Sequence, residues 1–207
     1  KFFLAIVIVS MMANEYSYGT LKQNLIDGMS KQEFVFSKFL TVVLFALTST
    51  LFVFIMSLIL GYCFSSYTEF GIIFSDMEYL LAYFVKLVGF FSFCLLLGVL
   101  IKRSAFAIGF LFVWFLVEKI SYLTLKFDIF NRDPRVDQVY AFMPLESMSN
   151  LIVEPFTRLS AIRNLQTAVG ENSIKDYSVH FSSIIIVLVW TTIFIYSSYK
   201  IIQKRDL

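Results

Sequence analysis

Residues Phe39–Thr68 read FLTVVLFALTSTLFVFIMSLILGYCFSSYT and contain no Asp, Glu, Lys or Arg. An α-helix needs about 20 apolar residues to cross the hydrocarbon core of a membrane. A helix also satisfies its own backbone hydrogen bonds in lipid, which an irregular segment cannot do. This stretch therefore predicts a transmembrane helix.

The composition of the whole chain supports this interpretation. Of the 207 residues, 58% are hydrophobic and 15% are charged, against roughly 45–50% and 25% in soluble domains. A soluble domain of this size could not bury so much apolar surface, and exposing it would cause aggregation. The 17 basic and 15 acidic residues are too balanced for a phosphate-binding surface, so no nucleic-acid partner is expected.

Three more apolar segments reach or approach the length of a span, and a shorter one opens the chain. The predicted spans are residues 1–13, 38–62, 79–101, 104–125 and 178–199. Because the chain begins inside the first apolar segment, we interpret this span as truncated. The sequence thus predicts an all-α, polytopic membrane helical bundle that forms a single domain over residues 1–207.

The charges between the spans predict their orientation, because Lys and Arg concentrate in cytoplasmic loops. Basic residues lie in the segment 14–37, in the connection 102–103 and in the C-terminal tail. The connection 65–78 instead carries three acidic residues and no basic ones. We therefore expect a cytoplasmic segment 14–37 and C-terminus, and an outer segment 126–176.

The segment 14–37 contains signals for a short helix, a sharp turn and a second helix. Thr20 is predicted to cap the short helix, and Gly28 to end it in a left-handed conformation. Ser30 and Glu33 form the S-x-x-E pattern of a capping box at the start of the next helix. This pattern predicts an elbow between the first two spans.

The short helix of this segment is amphipathic. Leu21, Leu25 and Ile26 share one helical face. Such a helix either docks against a soluble partner or lies on the lipid headgroups. The residues alone leave both interpretations open.

The outer segment 126–176 contains all three prolines of the chain. Residues 131–137 are predicted to be irregular. Apolar residues then recur at helical spacing after Pro144 and after Pro155, which predicts two short amphipathic helices broken at a proline. They form a cap over the outer membrane face, with or without a binding role.

Lys86 and Glu118 lie well inside two of the predicted spans, where a charge costs roughly 2.5–3.5 kcal/mol at the membrane centre. Lys86 and Glu118 are at similar depth on neighbouring antiparallel spans, so they are predicted to face each other or a shared polar cavity. The alternatives are that Lys86 extends toward the headgroups and that Glu118 marks the interface. On the same span as Lys86, the small residues Cys94 and Gly98 allow close helix approach.

No motif typical of an enzyme or a metal site occurs in the sequence. The two cysteines, Cys63 and Cys94, lack a metal or redox spacing, and His180 is the single histidine. There is no Walker-type glycine loop, no G-x-S-x-G and no H-E-x-x-H. We therefore expect no catalytic, cofactor-binding or metal-binding residues in this chain.

The segment after the first span resembles the permease subunits of ABC-2 type transporters. The resemblance rests on Asn14-Glu15, Tyr18-Gly19-Thr20-Leu21-Lys22, Leu25-Ile26, Gly28-Met29-Ser30-Lys31, Glu33-Phe34 and Lys38. The basic C-terminus and the long outer segment are also similar to that family. Gly28-Met29 stands where the family often has a proline, which is a mild departure.

This resemblance implies an ABC-2 type transmembrane domain with six helices, of which this chain holds the last five. It implies the bacterial cytoplasmic membrane, a second permease copy or homologue, and cytosolic ATPase subunits that bind ATP and magnesium. The segment 14–37 would be the ATPase-coupling element, with Glu15 as its anchor. The implied coupling residues are Glu15, Gly19, Thr20, Leu21, Leu25, Gly28, Ser30 and Glu33.

The implied function is that of a permease subunit of an ATP-driven exporter, which couples ATP hydrolysis by the partner to substrate movement and is not itself an enzyme. The alternative is a sensor or structural membrane protein with a ligand-binding outer segment. A membrane-embedded enzyme or maturation factor would use Lys86, Glu118 and His180. A stable complex with a cytosolic ATPase would distinguish the permease hypothesis from these alternatives.

Overall fold

The computed structural model describes residues 2–64, 77–130, 134–152 and 178–205, and these ranges consist of helices joined by turns. The helices are α1 Phe2–Ser17, α2 Thr20–Ile26, α3 Lys31–Phe64, α4 Met77–Ile101, α5 Ser104–Leu123, α6 Pro134–Tyr140, α7 Pro144–Asn150 and α8 Phe181–Lys204. The helix α5 continues into a π-helical segment, Thr124–Ile129. The described part of the chain contains no β-strand, as the all-α prediction requires.

Four of these helices, α3, α4, α5 and α8, are long and apolar enough to cross a membrane. The pair α1 and α2, bent by 64° at their junction, is a fifth candidate. The helix α3 begins at Lys31, directly after Ser30 of the capping box that predicts its start, and it continues into the predicted span at residue 38.

The helix α4 is the centre of the bundle. It packs against α1, α3, α5 and α8. In its most apolar stretch 72% of the residues are buried, against 17% in α3 and in α5. The surrounding helices instead turn large side chains such as Phe36, Phe52 and Phe106 outward. Exposed apolar surface of this extent is typical of a helical bundle in lipid.

Two glycines of α4 bring its backbone close to neighbouring helices. A Cβ atom added at Gly98 would lie 2.8 Å from Met12 Cβ of α1. A Cβ atom added at Gly89 would lie 2.8 Å from Val187 Cγ1 of α8. The close approach predicted around Cys94 and Gly98 is therefore present, and it fixes α1 against the central helix.

The structure corrects the interpretation of the outer segment in one respect. Residues 131–137 are predicted to be irregular, but α6 begins at Pro134. Proline is favourable in the first turn of a helix, because the N–H that it lacks has no partner there. The helix predicted after Pro144 is present as α7. The helix predicted after Pro155 lies outside the described residues.

The candidate functional site: an elbow at the basic end of the bundle

The elbow, Tyr18–Ser30, joins α1 to α3 and contains α2. Its first corner is Gly19, which has φ +70 and precedes the first residue of α2. An L side chain is strained at this φ, so glycine suits the corner. The prediction that Thr20 caps α2 is wrong, because the cap position is taken by Gly19 and Thr20 is already helical.

The second corner of the elbow is a Schellman motif around Gly28. The Met29 N–H donates to the Asn24 carbonyl oxygen at 3.1 Å, and the Gly28 N–H donates to the Leu25 carbonyl oxygen at 3.3 Å. Gly28 itself has φ +101. These two bonds occupy carbonyls that a helix end otherwise leaves unpaired, and they confirm the left-handed ending predicted at Gly28.

A reciprocal capping box starts α3 directly after this corner. The Ser30 N–H donates to Glu33 Oε2 at 2.8 Å, and the Glu33 N–H donates to Ser30 Oγ at 3.2 Å. The box satisfies two backbone donors at the start of the helix. Together with Gly28, it sets the direction in which α3 leaves the elbow.

Glu15, at the end of α1, contacts both α2 and α3. Its Oε2 accepts a hydrogen bond from Thr20 Oγ1 at 2.5 Å, and its Oε1 forms an ion pair with Lys38 Nζ of α3. The side chains of Glu15 and Lys38 are 14% and 18% exposed. One carboxylate therefore bonds to the start of α2 and to α3, which fits the anchoring role implied for Glu15.

The three apolar residues of α2 that are predicted to share one helical face differ in their burial. Leu21 is 2% exposed and packs in the core, and Leu25 is half-buried against it. Ile26 is 70% exposed. Leu21 thus holds α2 on the bundle, and only Ile26 of the three is available to a partner.

The exposed side chains of the elbow include large apolar ones, the cation Lys22 and the acid Asp27. Tyr18 is 78% exposed, and Met29 is also exposed. They flank Lys22 and Ile26, which lie four residues apart on one side of α2. We call Tyr18, Lys22, Ile26 and Met29 the docking face.

The ends of two other helices, α4 and α8, meet the helices that flank the elbow. Arg205, after α8, donates to the carbonyl oxygens of Val99 at 2.6 Å and Leu100 at 3.1 Å at the end of α4. Its guanidinium also donates to Tyr16 Oη at 3.2 Å. Lys31 Nζ donates to the Arg205 carbonyl oxygen at 2.8 Å. Cations are favourable at such helix ends because the carbonyl groups there are unpaired and partly negative.

Basic residues outnumber acidic ones among those described at this end of the bundle. The basic residues are Lys22, Lys31, Lys38, Lys102, Arg103, Lys200, Lys204 and Arg205, and the acidic ones are Glu15, Asp27 and Glu33. The contacts of Arg205 with Tyr16 and with the end of α4, and that of Lys102 with the Tyr16 ring, place the elbow, the connection between α4 and α5 and the C-terminal end of α8 on one side. We call this side the basic end.

At the opposite end, α7 packs between α4, α5 and α8. Glu118 Oε1 of α5 accepts hydrogen bonds from Trp114 Nε1 at 2.8 Å and from the Leu145 N–H at 3.3 Å. Glu118 thereby caps the N-terminus of α7. Its Oε2 is buried and has no hydrogen-bond partner within the described ranges.

Lys86 of α4 binds the other end of the same short helix. Lys86 Nζ lies 3.4 Å from the Ser149 carbonyl oxygen. The pairing predicted between Lys86 and Glu118 is thus not what the described contacts show, since each side chain binds a different end of α7. The physical reason is that α7 offers N–H groups at its start and carbonyl groups at its end, which complement the two opposite charges.

A further polar cluster joins α6 to the end of α5. Lys126 Nζ forms an ion pair with Asp137 Oδ1 at 2.9 Å, and Tyr122 Oη donates to the same oxygen at 2.6 Å. Burial raises the pKa of Asp137, but these hydrogen bonds and the charge of Lys126 outweigh it and hold the pKa below its usual value. The cluster fixes the start of α6.

Sequence reasoning missed several of these contacts. Trp114 precedes Glu118 by four residues, a spacing that brings two side chains of one helix together, so this pair could have been found. The bonds from Arg205 to α4 join positions far apart in the chain, and no local pattern indicates them. Within the described ranges, no group of three His, Cys, Asp or Glu side chains could hold a metal ion.

Comparisons with known proteins identify a family of unknown function. A family described as "Protein of unknown function (DUF2705)" matches residues 1–207. A 62-residue part, 30% of the chain, is 39% identical to the "Uncharacterized protein YhcI" of Bacillus subtilis (strain 168). That match covers 20% of the length of YhcI. No solved structure matches the chain.

Proposed function

We propose that this chain, which belongs to the DUF2705 family, is the membrane-spanning permease subunit of an ABC-2 type exporter. The observation that carries the proposal is the elbow. It is fixed at both corners and anchored by Glu15, yet it presents apolar side chains to the outside of the bundle. Exposed apolar side chains such as those of Tyr18 and Ile26 suit a surface that docks against a soluble partner, and a helix that lies on the headgroups would bury them in lipid instead.

The anchoring of α2 suggests how the element would work. Leu21 holds α2 on the core, and Glu15 links it to Thr20 and to Lys38 of α3. A force applied to the docking face would therefore reach α1 and α3 together. Because α1 packs tightly against α4 at Gly98, the movement would continue into the central helix.

In this proposal the ATP and magnesium are held by separate cytosolic ATPase subunits. Closure of two ATPases around ATP pushes on α2 and reorients the spans, which alternates access across a pair of permeases. The chain itself supplies the path and the coupling element, and it performs no hydrolysis. The basic end would face the cytoplasm, as its excess of Lys and Arg favours.

The experiment that tests the proposal is reconstitution of the chain with the ABC ATPases of its source organism. We expect a stable complex whose ATP hydrolysis depends on the permease. Ile26→Asp places a charge in the docking face and should weaken the complex at least tenfold without changing the fold. Val139→Asp is the matched control, because Val139 is similarly exposed but lies on α6 at the opposite end.

Two results would contradict the proposal. One is that none of the ATPases forms a complex with the wild-type chain. The other is that Ile26→Asp and Val139→Asp weaken the complex equally. The second result would indicate a general loss of stability rather than docking through α2.

A further inference from the structure

A groove lies between α3 and α8 on the outer surface of the bundle. Its volume is about 390 Å³, and it is lined by Val35, Phe36 and Phe39 of α3 and by Thr192, Ile195 and Tyr199 of α8, among others. From Gln32 to Phe39 the groove follows α3 for about 10 Å, at 1.5 Å per residue. It is therefore an elongated, apolar channel parallel to two spans.

The interior of the groove offers no free hydroxyl groups from its threonines. Thr191 Oγ1 donates to the Val187 carbonyl oxygen at 2.8 Å, and Thr192 Oγ1 donates to the Leu188 carbonyl oxygen at 2.9 Å. Both hydroxyl groups are thus bound to the backbone of their own helix. Such a lining suits a hydrocarbon chain rather than a polar solute.

The groove ends at the basic end of the bundle, and cations surround that end. Lys200 Nζ lies 5.5 Å from the centroid of the Tyr196 ring, which lines the groove. Lys31 precedes Gln32, which also lines it, and Lys204 follows one turn after Lys200. Among the described residues near this end of the groove, Glu33 is acidic, and its carboxylate already binds Ser30.

From this arrangement we infer that the groove binds an anionic phospholipid, with an acyl chain between α3 and α8 and the phosphate near Lys31, Lys200 and Lys204. Basic residues next to a span attract anionic headgroups, and tyrosines are favourable at the level of the headgroups. The groove thus joins an apolar channel to a cationic mouth, as a lipid of this class requires. The inference depends on the membrane location of the bundle and not on the proposed transport function.

The test is native mass spectrometry of the full chain in a neutral detergent, titrated with phosphatidylglycerol or with phosphatidylcholine. We expect tighter binding of phosphatidylglycerol. The double variant Lys200→Gln/Lys204→Gln should weaken it about 5- to 25-fold, from roughly fivefold per lysine, and should leave phosphatidylcholine unchanged. The matched control is Lys102→Gln/Arg103→Gln, which removes two charges from the basic end in the turn between α4 and α5.

A second variant tests the apolar part of the groove. Ile195→Trp fills the channel and should weaken the binding of both lipids. Equal binding of the two lipids by the wild-type chain would overturn the inference, as would an equal effect of the control pair. It would also be overturned if Ile195→Trp left lipid binding unchanged but converted a dimer to a monomer, because the groove would then be a contact between copies.

Discussion

Glu15 at the end of α1 and Lys38 near the start of α3 form an ion pair across the elbow. They are 23 residues apart in the chain, and everything between them belongs to the elbow or to the ends of the two helices. The pair therefore closes the elbow into a loop. Its closure makes α1, α2 and the start of α3 one mechanical unit.

Breaking this pair should loosen the elbow. Lys38→Gln removes the cation that pairs with the Glu15 carboxylate and leaves Thr20 as its other partner. We expect the free energy of unfolding to fall by about 1.5–3 kcal/mol, which is typical of hydrogen bonds to charged groups. Thermal unfolding in detergent measures it. The charge-swapped variant Glu15→Lys/Lys38→Glu should recover much of this loss. If the swap is no better than either single change, the ion pair does not hold the elbow.

The second corner of the elbow should depend on glycine. Gly28→Ala places a Cβ at φ +101, which we expect to cost about 1–2 kcal/mol. Gly61→Ala is the matched control, since Gly61 lies within α3 and nothing lies near an added Cβ there. That change should be neutral or slightly stabilising. Equal effects on the unfolding temperature would contradict the strain assigned to Gly28.

The packing of α7 against the bundle should depend on Glu118. Glu118→Leu removes the acceptor for the Leu145 N–H, and we expect α7 to separate more often from the bundle. Ser147 is 2% exposed on α7, so a cysteine placed there reports the separation through its rate of maleimide labelling. In a background without Cys63, the rate should rise several-fold.

The corresponding control is Glu78→Leu, which removes an exposed carboxylate at the start of α4. It should leave the labelling rate of the cysteine at position 147 unchanged. If Glu118→Leu also leaves it unchanged, the hydrogen bond to α7 does not hold that helix in place.

The pH dependence of stability should reflect Asp137 at the start of α6. Because Tyr122 and Lys126 hold its pKa below the usual value, folding stabilises the charged form. This contribution is complete above the unfolded pKa of about 3.9 and is lost as pH falls through the lower folded pKa. The difference in unfolding temperature between the wild type and Asp137→Asn should therefore shrink below about pH 4. A difference that is constant from neutral to acidic pH would exclude this explanation.

The long helices and the local signals of the elbow could be predicted from the sequence. Apolar length alone indicates the spans, because lipid imposes one simple requirement on the backbone. The left-handed helix end at Gly28 and the Ser30–Glu33 pair are short-range patterns whose partners lie within five residues, so they too can be predicted from the sequence.

The sequence does not reveal contacts that depend on the packing of distant segments. The prediction that Lys86 and Glu118 face each other or a shared polar cavity considered only the two spans, whereas α7 lies against both and offers one of its ends to each side chain. Thr20 was expected to cap α2, but the corner at Gly19 moves the start of the helix. The role of Arg205 needs the ends of α4 and α8 to meet, which only the folded chain shows.

The central claim is that the docking face of α2 meets an ATPase. Its most direct test is a photoreactive amino acid at position 26, activated in membranes that contain the chain and the candidate ABC ATPases. We predict a cross-linked product that contains an ATPase subunit, and no such product from position 139. Cross-links from position 26 to lipid alone would contradict the claim, because they would show a helix that lies on the headgroups.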